Sequence, residues 1–149
     1  MVLTGNEIKK NVSKGNIIIT PYDEKNINPN SYDISIGTTI SYYEDNVVLD
    51  VNEEPKIITA TITDEGFKLK RNKYYFAESH EKIIVKDLVP ILHTKSGVAR
   101  KGMFSHITAD LLQVTHDGTV LLQIFPTMDI IIYPHQRIAQ LSFWKVWDN

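Results

Sequence analysis

Beyond Gly15 the chain settles into a period of two. "NIIIT", "SYDISIG", "NVVLDV", "KIITATIT", "FKLKRNKYYF", "KIIVKDLVPIL", "TVLLQIF", "DIIIY" and "IAQLSFWKV" are rich in Ile, Val, Thr, Tyr and Phe, the mark of short strands. Turn signals separate them, among them "YEDN", "TDEG" and "THDGT". Asp117-Gly118 is the best candidate for a tight hairpin turn. No repeat, low-complexity segment or linker interrupts the series. Many short strands at close spacing predict a compact all-β sandwich or barrel. A length of 149 residues suits one domain, 1–149.

A helix signal precedes the strands. Thr4 followed by Glu7 forms a capping box, with Leu3 and Ile8 at the staple positions. Ile8 and Val12 share a face, and Gly15 suits the stop. The spacing predicts a helix from about residue 4 to about residue 13.

Composition narrows the function classes. The chain has 42% hydrophobic and 23% charged residues, and a formal net charge of -2. That charge opposes an extended nucleic-acid surface, which is normally strongly basic. No cysteine is present, so disulfides and thiolate zinc sites are excluded, and a reducing cytoplasm is the expected location. "MVLTGNEIKK" has no apolar run of signal-peptide length, and the longest apolar runs are too short to span a membrane.

One stretch stands apart from the strand pattern. "ILHTKSGVARKGMFSH" gathers Lys95, Ser96, Gly97, Arg100, Lys101 and Gly102 between apolar ends. Lys95 and Arg100 can meet phosphate charge, while Ser96 and backbone N–H groups near Gly97 can donate hydrogen bonds. The alternative is an exposed basic turn. The five histidines, at 80, 93, 106, 116 and 135, lack the spacing of a helical zinc pair, so no metal site is expected. The paired cysteines of zinc deaminases are missing too. Asp33 falls between Tyr32 and Ile34, where strand alternation sends it to water.

Several segments, in order, resemble the dCTP deaminase and dUTPase superfamily. "MVLTGNEI" is similar to the start of dCTP deaminases, and "INPNSYDISIG" to their first motif, which makes Asp33 the first-motif acid. "TKSGVARKGM" resembles the phosphate-binding motif, "SHITA" the segment after it, and "YPHQRIAQLSFWKV" the late motif. The resemblance implies a distorted β-barrel with jelly-roll character, of the dUTPase-like β-clip type, and assembly as a homotrimer with nucleotide sites between subunits. It implies that Lys95, Ser96, Gly97 and Arg100 hold a nucleotide's phosphates, with Arg100 reaching an adjacent subunit's site. Leu121 and Leu122 are further nucleotide contacts in that reading. No cofactor is required by the resemblance, and magnesium enters only with the nucleotide's phosphates.

The chain departs from the family pattern where the chemistry lies. Lys95 replaces an arginine, keeping charge without the bidentate fork. Gly97 replaces a serine. Gln113 and Gln123 stand where the family carries acids, the second being the glutamate that handles protons as water attacks the cytosine ring. An amide can hold a base or a sugar but cannot accept a proton. The family's closing C-terminal segment is also expected to be missing after Val146. The leading expectation is therefore a trimeric nucleotide-binding protein with impaired catalysis, acting by sequestration, sensing or regulation. One alternative is an active dCTP deaminase or dUTPase using rearranged acids, Asp117 or Asp33. Another is a structural or protein-interaction trimer without ligand.

Overall fold

The computed structural model describes residues 1–147; the expectation about a closing segment lies beyond them. The opening helix forms as its caps dictate. α1 covers Gly5–Ser13, and the Thr4 side chain accepts from Glu7 N at 3.4 Å. The other half of the box differs, because the Glu7 carboxylate takes Lys10 Nζ at 2.6 Å. Leu3 and Ile8 are both buried. At the far end Gly15 (φ +72) donates to Val12 O, and Asn16 N donates to Asn11 O at 2.9 Å, a Schellman closure. Gly5 lets the helix start against the chain: a Cβ there would lie 2.5 Å from Asn28 O.

The rest is strand. In chain order these are β1 (Ile17–Thr20), β2 (Tyr32–Ser35), β3 (Thr39–Tyr42), β4 (Ile58–Thr61), β5 (Phe67–Leu69), β6 (Tyr75–Val85) and β7 (Leu88–Thr94). A short helix α2 (Ser96–Ala99) precedes β8 (Met103–Phe104), β9 (Asp117–Pro126), β10 (Ile130–Ile132) and β11 (Arg137–Lys145). β6 organises the largest sheet. One of its edges runs along β9, and the other is shared, with β3 pairing at Tyr75 and Phe76 and β1 at Lys82–Val85. β4 extends this sheet beyond β3, and β8 extends it beyond β9. A second sheet has the order β2-β11-β7, and β5 pairs with β10 in a ribbon. The all-β class stands, with the correction that the sheets are not closed into a barrel.

Alternation sets the core. β6 buries every second residue from Tyr75 to Val85, and β9 buries Val120, Leu122, Ile124 and Pro126. These pack with Ile34, Ile36, Leu141 and Phe143 of the other sheet region. Burial of this apolar surface is the main force holding the sheets together.

Several expected strands change on folding. "FKLKRNKYYF" divides at a turn where Asn72 has φ +57, sending β5 and β6 to different sheets. "KIIVKDLVPIL" divides at Asp87 (φ +56) into the end of β6 and β7. "NVVLDV" forms no strand: Val48 and Val51 are exposed at 93% and 96%, and no neighbouring strand offers this segment a ladder. The expected hairpin turn at Asp117-Gly118 is also corrected. Both residues begin β9, opposite Ile84 and Ile83 of β6.

Candidate active site

Lys95 follows β7 directly and caps α2. Its N–H donates to the Ile138 carbonyl of β11 at 3.0 Å, and its Nζ donates to Asp33 Oδ2 on β2. This corrects the solvent-facing expectation for Asp33, which is buried, 3% exposed. Alternation fails there because all four residues of β2 are buried. Tyr22, stacked on Tyr32 with ring centroids 5.9 Å apart, helps to cover that strand. Burial pushes the Tyr32 hydroxyl above its ordinary pKa, although it accepts a hydrogen bond from Asp23 N at 3.0 Å.

The second oxygen of Asp33 accepts from Asn28 Nδ2 at 2.7 Å. Asn28 also reaches Ser31 Oγ (3.3 Å), Ser31 Oγ donates to Gln140 Oε1 (2.7 Å), and Gln140 Nε2 donates to Thr94 O (3.3 Å). The circuit returns to the residue before Lys95. It binds three sequence-distant segments to one another, and a buried polar network whose members are satisfied is rigid. An ammonium has three donors, so the bond to Asp33 aims the group while leaving N–H bonds for an anion. Ser96, Gly97 and Arg100 are exposed beside it, and Arg100 makes no ion pair among the described residues. The first amides of α2 have no partner within so short a helix.

Gln123 lies on β9 in a different setting. It is half-buried, opposite Phe76 of β6, and accepts from Thr108 Oγ1 at 2.9 Å. It lines a recess of about 240 Å³ with His106, Leu112, His116, Thr119 and Leu121. His106 accepts from Ala109 N at 3.3 Å through Nε2, while its Nδ1 is buried without a partner. Accepting at Nε2 puts the proton of a neutral ring on Nδ1, a buried donor with no partner in the structure. Leu121 is half-exposed and also borders a larger recess of about 650 Å³ with Phe76 and Tyr43. Leu122 is fully buried in the core, opposite Ala77 of β6, which corrects its expected role as a nucleotide contact.

The structure brings Gln123 to this recess but not Gln113, which is exposed in the preceding loop, its carbonyl accepting from His116 N at 3.0 Å. Neither alternative acid lines it. Asp33 is held by Lys95, and Asp117 pairs with Lys82 at 3.0 Å. No cluster of three or more histidines or carboxylates suited to a metal occurs among the described residues, and no helix there is long and apolar enough to cross a membrane. Sequence reasoning weighs the histidines only as metal ligands and so misses His106 and His116 beside Gln123. The only available signal is His106 within "SHITA".

Comparison with known proteins gives this geometry a family. A family profile described as dCTP deaminase-like matches residues 2–146. A "dCTP deaminase, dUMP-forming" of Hathewaya histolytica is 37% identical over 146 residues, covering 98% of this chain and 84% of the relative. A dCTP deaminase of Rhodopirellula baltica is 31% identical, covering 98% of this chain and 73% of its own. Among solved structures, 2'-deoxycytidine 5'-triphosphate deaminase from Agrobacterium tumefaciens superposes with a TM-score of 0.75 at 16% identity. That match covers 97% of this chain but 48% of the other, about half its length. A dUTPase of Staphylococcus bacteriophage 80alpha, solved with dUpNHpp, matches with a TM-score of 0.56 at 13% identity, over 89% of this chain and 92% of its own. Profile, relatives and fold coincide over the sheets that carry Lys95 and Gln123, and the chain belongs to the dCTP deaminase-like family.

Proposed function

We propose that this chain is a nucleotide-binding member of its family whose deamination and triphosphate hydrolysis are impaired. The observation that carries the reading is the recess beside Gln123, whose lining contains no Asp or Glu. Its relatives are dCTP deaminases by description, and attack of water on a cytosine ring needs a group that takes and returns a proton. Such a group is worth about a hundred- to ten-thousand-fold in rate. The amide of Gln123 accepts and donates hydrogen bonds but takes no proton. What remains suits binding: an aimed ammonium at Lys95, the exposed hydroxyl of Ser96 and the guanidinium of Arg100, which has no ion pair among the described residues.

The proposed assembly is a homotrimer in which Arg100 of one subunit serves a neighbour's site. Its exposure without an ion pair, and the exposed Ile107, Leu111 and Val114 on the loop before β9, favour a subunit boundary there. Magnesium has no carboxylate waiting at the cradle, since Asp33 is occupied by Lys95, so it would arrive with the phosphates. Chromatography after incubation with dCTP or dUTP and magnesium, combined with thermal shift and light scattering, tests this reading. The expected result is a trimer stabilised by a nucleotide, with dUTP and dUMP absent from the dCTP reaction. Turnover at rates like those of its relatives would defeat the impairment. A monomer, or a protein that no nucleotide stabilises, would defeat the binding role.

A further inference from the structure

A second recess lies away from Lys95 and Gln123, between the β3–β4 connection and the β5–β6 turn. It encloses about 520 Å³, within the range of small-molecule sites. The sequence "KLKRNK" supplies one wall, with Lys70 and Arg71 exposed on it. Neither side chain forms an ion pair among the described residues, although Asp45 and Asp129 feel their charge. Tyr43 and Tyr74 are half-buried and flank Phe76, each with its ring centroid 5.2 Å from that of Phe76. Glu44 and Asp45 form the opposite wall; Asp45 is held by Lys73 at 2.6 Å, while Glu44, exposed, has only a long contact of 3.7 Å to the exposed Lys56 Nζ and keeps acceptor capacity.

The frame is built rather than loose. Lys70 N donates to the Tyr75 hydroxyl at 2.9 Å, Arg71 N to Asp129 Oδ1 at 3.0 Å, and Asn72 N to Pro126 O at 2.7 Å. Lys73 joins the two walls: its Nζ is 2.6 Å from Asp45 Oδ1 and 4.7 Å from the centre of the Tyr42 ring. Supporting bonds of this kind hold a site in a productive geometry.

We propose that this recess is an accessory site for a nucleoside monophosphate whose base carries an exocyclic amino group. The phosphate lies against Lys70 and Arg71, where charge-assisted hydrogen bonds are strong. The base lies on the tyrosine faces, as bases stack on aromatic side chains. Its amino group donates to the Glu44 wall, the pairing by which carboxylates recognise cytosine N4. The same acids repel a continuous phosphate backbone, which favours a mononucleotide over a strand. This site is separate from the Lys95–Arg100 cradle, and its test stands whether or not that cradle binds.

The experiment is NMR titration of the full chain, following the Tyr43 and Tyr74 ring signals, with dCMP, dUMP and inorganic phosphate. The expected result is saturable movement of both rings with dCMP, and about tenfold weaker binding of dUMP. Lys70→Glu with Arg71→Glu weakens dCMP at these signals by about tenfold or more, whereas Arg100→Ala leaves them unchanged. Glu44→Gln narrows the gap between dCMP and dUMP. Lys70→Gln repeats the charge test without adding an acid, should the reversal disturb the turn. Unmoved tyrosine signals, equal response to phosphate alone, or binding indifferent to Lys70 and Arg71 would overturn the assignment.

Discussion

The turn at Lys95 and the recess at Gln123 descend from neighbouring segments of one chain, yet their construction differs. The first is braced on several sides. Lys95 is tied to β11 through its backbone and to β2 through Asp33. Ser105, fully buried, donates its hydroxyl to Ile138 O at 2.8 Å and its N–H to Thr94 Oγ1 at 2.9 Å. The second region is open. Leu111 is 68% exposed, Gln113 projects from the same loop, and Gln123 is held by one threonine hydroxyl. The difference teaches that two parts of one candidate site can be built independently: a cation fixed by several supports on one side, and an amide on an open loop-bordered recess on the other. The two depend on different chemistry: a grip needs a fixed cation, and proton transfer needs a group that changes its own charge.

The largest expected effect concerns rate. Gln123→Glu places a carboxylate in the recess but leaves Gln113 an amide, and groups that act together do not contribute additively. Deamination of dCTP by this variant should rise above the wild-type background yet stay well short of the hundred- to ten-thousand-fold that a general base supplies. Full recovery, read by chromatography of dCTP and dUTP, would mean that the recess was otherwise intact and would erase half of the contrast.

Next comes the brace. Lys95→Ala strands the Asp33 carboxylate in the interior, and removing one partner of a buried pair costs about 3–5 kcal/mol. The low end, about 3 kcal/mol, is expected because Asn28 still donates to Asp33 and Lys95 is partly solvated. Adding Asp33→Ala should recover part of that loss, a coupling that denaturant unfolding of the four proteins would measure. Strict additivity would mean that the brace holds nothing.

A smaller effect sharpens the anion side. A Cβ at Gly97 meets nothing within 4 Å, so Gly97→Ser should fit and add a hydroxyl donor to the exposed turn. A gain of about 0.5–1.5 kcal/mol in binding a nucleoside triphosphate is expected, measured by calorimetry. No gain would place the ligand's phosphates elsewhere.

The smallest effect belongs to neither region. Glu7, Asp45 and Asp129 have pKa values held below the ordinary 4.5 and 3.8, chiefly by hydrogen bonds from Lys10, Lys73 and the Arg71 backbone respectively. The unfolded chain takes up these protons first as pH falls. Their contribution is therefore complete above the ordinary values and is lost as pH drops through and below them. All three are solvent-exposed, so the loss between pH 6 and pH 3 should be slight, and salt should shrink it. Unfolding at two ionic strengths checks both the sign and the size.

Local signals determined what local forces control. Thr4, Leu3, Ile8 and Gly15 announced α1 and its ends, because caps and staples act within a few residues. The period of two announced most strands, and the motif order announced the family and the basic turn. Tertiary structure decided the rest, because a strand exists only when another segment completes its hydrogen bonds. "NVVLDV" has the residues of a strand and no partner, while Asp117-Gly118 has the residues of a turn and is drawn into β9 by Ile83 and Ile84. Asp33 is the sharpest case: its ion pair is with Lys95, 62 positions away. Alternation along four residues of β2 could not reveal that both faces of that strand are covered, and only the packed sheets made a solvent-facing acid into the buried brace of the turn that carries Ser96.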